Sequence, residues 1–153
     1  MTGAARILVV SHPRSAATRA VTGSLIAGIA EGGGVADERD PTAADLDAVT
    51  AADAVVLIGP EYFGYMSGLV KDFLERVYDP AREMALVRPC AVIVTAGNDG
   101  EGAIRSVEPI LTGLRWRNPL PPLLVRSPAT ATDLQAAHEV GATLAAGLEA
   151  GVF

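Results

Sequence analysis

The sequence predicts an α/β fold: a doubly wound, five-stranded parallel sheet in the order 2-1-3-4-5 with helices on both faces. Three observations carry that expectation. Short β-type patterns alternate with helical patterns along the whole chain, with no linker, repeat or low-complexity block between them, as successive βαβ units require. The run Ala54-Val55-Val56-Leu57-Ile58-Gly59 is apolar at every side chain, the pattern of a strand covered on both faces. Right-handed crossovers then leave few ways to wind five strands, and the order 2-1-3-4-5 is the expected one. In such a sheet ligands sit beyond the carboxyl ends of the strands, here at the switch between the first and third.

Each element has its own local reason. Ile7-Leu8-Val9-Val10 reads as the first strand. A helix follows from Ser15 to Glu31, because Ala17, Val21, Leu25 and Ile29 recur every fourth residue and Gly32-Gly33-Gly34 ends it. Val35 to Arg39 is polar enough to be an edge strand, and Thr42 to Ala48 is expected to form a short helix capped by Thr42. Ala54 to Ile58 is the third strand. The next helix begins near Ser67, with Met66, Val70, Phe73, Leu74 and Val77 on one face and Lys71, Asp72, Glu75 and Arg76 on the other; Asp79-Pro80 is expected to stop it. Cys90 to Thr95 is the fourth strand. Gly102 to Trp116 is helical through Ile104, Val107, Leu111 and Leu114, with Pro109 expected to kink it or delay its start. Leu123-Leu124-Val125 is the fifth strand, and a closing helix from Thr132 or Asp133 to Ala150 turns Leu134, Ala137, Gly141, Leu144 and Leu148 inward.

Composition narrows the function. At 153 residues, half of them apolar, the chain is expected to form one domain with a core that needs neither disulfide nor metal. A net charge of -6 with Lys71 as the only lysine is wrong for a nucleic-acid surface, which requires clustered cations to displace counterions. Cys90 is alone and the two histidines, at 12 and 138, are far apart, so no metal set is expected. Cys90 itself, in Pro89-Cys90-Ala91-Val92, reads as a small core residue. The apolar run before Ser11 is too short for a signal peptide and nothing approaches a membrane span. A cytoplasmic protein with no membrane partner is the expectation.

Three loops carry the unusual residues. Ser11-His12-Pro13-Arg14-Ser15-Ala16-Ala17-Thr18-Arg19 joins a strand to a helix start through a hydroxyl-rich turn, where backbone N–H groups, hydroxyls and the helix dipole converge on an anion. It contains no G-x-x-x-x-G-K-[ST], which disfavours a nucleoside triphosphate. Pro60-Glu61-Tyr62-Phe63-Gly64-Tyr65-Met66-Ser67-Gly68 gathers three of the seven aromatics into four consecutive positions directly after a buried strand, suited to a planar ligand. Thr95-Ala96-Gly97-Asn98-Asp99-Gly100-Glu101-Gly102 lets backbone approach a flat ligand closely and offers N–H and C=O groups to its polar edge. Each loop also has a plain reading, as a helix cap or a turn. Together they describe a ligand with a phosphate at one end and a flat polar ring at the other, and FMN fits.

The segment from Pro60 to Arg76 resembles the P-x-[YF]-x-G-x-x-[SP]-G-x-x-K-x-[FL]-x-[DE]-[RW] motif of the flavodoxin-like NAD(P)H-dependent FMN oxidoreductases, which include multimeric quinone reductases. Pro13-Arg14 with Ser15 and Thr18 is similar to that family's phosphate loop, and Gly97 to Gly102 to its third flavin loop; the likeness spans roughly residues 6 to 126. It implies FMN as cofactor, with Ser11, Arg14, Ser15, Ala16, Ala17 and Thr18 around the phosphate. Along the ribityl chain and ring it implies Pro60, Glu61, Tyr62, Phe63 and Gly64, with Thr95, Ala96, Gly97, Asn98 and Gly102 opposite. It further implies NAD(P)H and a small-molecule acceptor as partners and a homodimer or homotetramer, with Phe63, Tyr65 and Met66 as candidate subunit contacts.

Two departures qualify the likeness. Ala16-Ala17 stands where many flavodoxins have Gly-Asn, and the third loop has no Tyr or Trp to stack on the ring. The second departure favours an enzyme with one ring face open for a substrate. Redox chemistry would then belong to the flavin, no side chain is assigned as catalytic, and Tyr62 and Tyr65 border the acceptor. An electron-carrying flavodoxin with an acidic docking face and a cofactor-free interaction module remain as alternatives.

Overall fold

The computed structural model describes residues 3–153; Met1 and Thr2, part of the stretch read above for a signal sequence, lie outside the described residues. The strands are β1 (Arg6–Ser11), β2 (Val35–Arg39), β3 (Ala54–Tyr62), β4 (Tyr65–Met66), β5 (Cys90–Ala96) and β6 (Leu123–Arg126). The helices are α1 (Ala16–Glu31), α2 (Leu46–Ala51), α3 (Gly68–Glu83), α4 (Glu101–Leu114) and α5 (Ala131–Glu149). Five strands are parallel in the order β2-β1-β3-β5-β6, and β4 pairs antiparallel with the end of β3. Counted without β4, this is the expected 2-1-3-4-5.

Alternation along the strands builds two apolar layers. Ile7, Val9, Ala54, Val56 and Ile58 pack with α1 and α5 through Val21, Leu25, Ile29 and Leu144. Leu8, Val10, Val55 and Leu57 pack with α2, α3 and α4 through Val49, Phe73, Leu74, Val107 and Leu111. Both faces of the sheet are therefore covered, which is why its central strands read as unbroken apolar runs. β2, at the edge, is charged instead: Asp37 lies 3.1 Å from both Arg6 and Arg39, and a charged edge resists pairing with another chain. Cys90 is wholly buried, and burial pushes its thiol up from the ordinary range, in keeping with an inert core position.

The helix boundaries depart from expectation in identifiable ways. Thr42 does not cap α2, because its hydroxyl and amide both donate to Asp40 Oδ1; Asp45 caps it instead, accepting from the Ala48 amide, and the helix starts at Leu46. Pro80 does not end α3, which runs on to Glu83. A proline removes one backbone donor, and here that loss is outweighed by Ala81, buried against the core in the following turn. Nor does Pro109 delay α4, which begins at Glu101. The closing helix starts slightly earlier than expected, after a capping box between Thr130 and Asp133.

Candidate functional site

The loops after β1, β3 and β5 meet at the carboxyl edge of the sheet, over the switch between β1 and β3. In the first, Ser15 caps α1 by accepting the Thr18 amide at 3.1 Å, while its carbonyl accepts the Arg19 amide. Helix geometry leaves the first amides without intrahelical acceptors, so those of Ala16 and Ala17 face the loop. Arg14 is exposed, with no ion pair among the described residues. Beneath the loop runs a chain of buried hydroxyls. Thr22 donates to the Thr18 carbonyl, so Ser11 donates to Thr22 at 2.8 Å, and Thr18 reaches Thr95 of β5 at 2.8 Å. The Thr18–Thr95 contact thus ties the start of α1 to the end of β5, and the Ser11–Thr22 contact ties the end of β1 to α1. Arg14, Ser15 and Ala16 stand open above them.

The second loop is a hairpin. β3 extends past its apolar run to Tyr62, turns at Phe63 and Gly64, and returns as β4, with Glu61 opposite Met66 and Tyr62 opposite Tyr65. Phe63 (φ 54°) and Gly64 (φ 74°) both occupy the left-handed region, as a tight two-residue connection demands. The phenylalanine pays a backbone cost for a position whose side chain packs on nothing. Its ring is fully exposed, Tyr62 and Tyr65 are each exposed by more than two-fifths, and Pro60 and Glu61 are half-buried.

The hairpin rests on the third loop and α4. The Met66 amide donates to Ser106 Oγ at 3.0 Å, and a Cβ on Gly102 would lie 2.1 Å from the Gly64 carbonyl oxygen. Only glycine permits that approach. Gly100 caps α4 with φ 74° and no side-chain cap, Asp99 accepts the Glu101 amide, and Gly97 and Asn98 are exposed while Ala96 is buried. All three candidate loops named from sequence are therefore side by side.

Sequence reasoning missed two features of this edge. His12 Nδ1 lies 2.7 Å from Asp40 Oδ2, joining residues 28 apart that meet because β1 and β2 are parallel neighbours, Val10 beside Arg39. Hydrogen bonds from Thr42 and His12 hold the Asp40 carboxyl down to about 2. Second, Nε2 of His12, a residue not assigned to the site from sequence, is buried without a hydrogen-bond partner, as is Oε2 of Glu61, which was assigned. Buried polar atoms are normally satisfied. His12 follows β1 and Glu61 lies near the end of β3, so both unpartnered atoms belong to the edge where the candidate loops meet.

Residues 20–128 match the profile of a family described as NADPH-dependent FMN reductase. Among solved structures, the chain is similar to a flavodoxin from the domain Archaea, at 18% identity and TM-score 0.83, over 94% of this chain and 99% of that one. It is similar to the Flv1 flavodiiron core of Synechocystis sp. PCC6803 at 16% identity and TM-score 0.83, over 98% of this chain but only 37% of the longer one. It is also similar to an NAD(P)H:quinone oxidoreductase from Methanothermobacter marburgensis at 16% identity and TM-score 0.68, over 94% of this chain and all of that one. No helix among the described residues is long and apolar enough to cross a membrane.

Proposed function

The chain belongs to the NADPH-dependent FMN reductase family, a flavin-dependent oxidoreductase with FMN as cofactor, and from that premise we propose that it takes electrons from NADPH and delivers them to a quinone or free flavin. The residues at the crevice fit FMN. The free amides of Ala16 and Ala17, the Ser15 hydroxyl and the Arg14 guanidinium suit a phosphate at the start of α1; the exposed Tyr62 and Phe63 suit a planar ring; the orphaned His12 and Glu61 atoms suit polar groups between.

In this reading each part of the chain has a task. Arg14 and the α1 amides hold the phosphate and so fix the cofactor along the crevice. The Thr18–Thr95 contact would hold the first loop's helix start against the end of β5 beneath it, with Ser11 fastening β1 to α1. Tyr62 and Phe63 would cover one ring face and exclude water there, and the backbone from Ala96 to Asn98 would offer its polar groups to the ring edge. FMN, when bound, supplies the chemistry itself, accepting hydride from the nicotinamide and giving electrons to the acceptor.

The observation that carries the choice of an enzyme over a carrier is the third loop. Gly97 and Asn98 are exposed and no aromatic side chain follows β5 until Trp116, which is buried with its indole N–H on the Leu86 carbonyl. Nothing aromatic from that loop can cover the second ring face, so a nicotinamide has access to it. Anaerobic addition of NADPH to the FMN-loaded protein is expected to bleach the oxidised flavin band, and a quinone is expected to restore it over many cycles. If neither NADPH nor NADH at saturating concentration reduces the flavin, the protein is a carrier.

The aromatic pair is tested separately. Replacing Tyr62 and Phe63 together by alanine is expected to weaken FMN binding by roughly 1 to 3 kcal/mol, the worth of two aromatic contacts. Since Phe63 packs on nothing, the double variant should keep its circular dichroism spectrum. An unchanged dissociation constant in that folded variant would remove both residues from the ring site.

A further inference from the structure

Arg126 is the last residue of β6 and stands beside Ala96, the last of β5, in the register of the sheet. The next amide, that of Ser127, donates to the Ala96 carbonyl at 2.8 Å, so the backbone here is fastened to the point from which the third loop departs. Side chains alternate between the two faces of a strand. Val125 is buried in the layer of α1 and α5, whereas Leu124 packs against the layer of α2, α3 and α4. Arg126 therefore turns to the side of Leu124, the side on which the hairpin rests on α4. Leu124 also seats β6 against the third loop, since a Cβ on Gly100 would lie 2.2 Å from its Cδ1.

The guanidinium of Arg126 is exposed, with no hydrogen-bond or ion-pair partner among the described residues. Neighbouring arginines are occupied. Arg19 holds the Pro13 carbonyl, Arg39 pairs with Asp37 and Asp45, Arg76 holds the Pro41 and Ala44 carbonyls, and Arg105 pairs with Glu101. Arg14 is free as well, but it follows β1, and β1 and β6 are separated by β3 and β5, three strand spacings or about 14 Å. The crevice thus has a free cation at each end. FMN has one phosphate, and the start of α1 takes it. The cation at the other end is left for a second anionic ligand.

We propose that Arg126 binds a phosphate of the nicotinamide dinucleotide and so brings NADPH over the ring face that the third loop leaves open. This role rests on the reading of the chain as a reductase with FMN in the crevice. NADPH brings a pyrophosphate and a 2′-phosphate toward a chain whose net charge is -6, and a cation at the mouth offsets that repulsion where the ligand enters. The acids of the third loop are turned to other partners, Asp99 to the Glu101 amide and Glu101 to Arg105. A guanidinium matches phosphate oxygens in a two-point contact, and a base fixed to the sheet holds that contact beside the ring.

The test follows flavin reduction in FMN-loaded protein by anaerobic stopped flow with NADPH, NADH and 1-benzyl-1,4-dihydronicotinamide, a hydride donor without phosphate. For Arg126→Ala the dissociation constant of NADPH is expected to rise about 5- to 30-fold, between the worth of an exposed ion pair and that of a charged hydrogen bond, with the limiting rate unchanged. Arg126→Lys, which keeps the charge, should recover most of the affinity. NADP+ binds without reacting, and its dissociation constant by calorimetry should rise by the same factor. The rate with the phosphate-free donor and the dissociation constant of FMN should match wild type. NADH separates the two sources of phosphate: an equal loss assigns Arg126 to the pyrophosphate, and no loss assigns it to the 2′-phosphate. An unchanged NADPH constant in Arg126→Ala, an equal slowing with the phosphate-free donor, or weakened FMN binding would overturn the assignment while leaving the reductase in place. A wild-type flavin that the phosphate-free donor reduces but neither nucleotide does would overturn the reductase reading itself.

Discussion

Gly102→Ala is expected to destabilise the protein by about 1 to 3 kcal/mol and to abolish retention of FMN. A Cβ at that position would stand 2.1 Å from the Gly64 carbonyl oxygen and 2.7 Å from its carbon, distances that no relaxation of a side chain can relieve because both atoms are backbone. Either α4 or the hairpin must move, and overpacking of this kind costs in the stated range. The hairpin is the weaker partner. β4 has only two residues, and one hydrogen bond, from the Met66 amide to Ser106, fastens it to α4. Tyr62 and Phe63 travel with it, so the lost stability and the lost flavin have one cause. Gly97→Ala supplies the contrast, since a Cβ there meets nothing within 4 Å; its stability should stay within about 0.5 kcal/mol of wild type. Urea midpoints with an unchanged m-value test both. A Gly102→Ala protein with the wild-type midpoint would show that the hairpin shifts freely and that its seat on α4 does not position the ring.

Much of this architecture was legible because local and tertiary signals agree. The all-apolar Ala54 to Ile58 run and the one-sided Val70, Phe73, Leu74, Val77 pattern were each expected to be buried, and both are. Signals that compete were harder to read. Thr42 is a good helix cap by residue type, but Asp40, two positions earlier, takes its hydroxyl and amide, a choice visible only once the turn is formed. The Phe63–Gly64 turn carries half of the usual Asn-Gly signature, and the return strand it permits is only Tyr65–Met66, too short to show alternation. The meeting of the three candidate loops was legible because each follows a recognisable strand. The His12–Asp40 contact was not. Neither residue is unusual alone, and their meeting depends on the pairing of β1 with β2, a fact of topology rather than of local sequence. The same holds for the buried hydroxyl contact between Thr18 and Thr95.

Arg14→Ala is expected to weaken FMN binding by about 1.5 to 3 kcal/mol, the worth of a charged hydrogen bond, or roughly 10- to 150-fold in dissociation constant. FMN carries close to two negative charges, the chain has a net charge of -6, and the first loop contains no lysine to share the task. Arg14 is exposed and has no ion pair among the described residues, so its removal leaves no carboxylate stranded and should not alter the urea midpoint. Arg19 cannot substitute readily, because its guanidinium is engaged by the Pro13 carbonyl at 2.9 Å. Riboflavin lacks the phosphate and should bind the variant as it binds wild type. The loss caused by Arg14→Ala should persist at pH 9, since a guanidinium keeps its charge there. Equal losses for FMN and riboflavin would mean that Arg14 shapes the loop rather than binding the phosphate, and the α1 amides with Ser15 would then hold the anion without it.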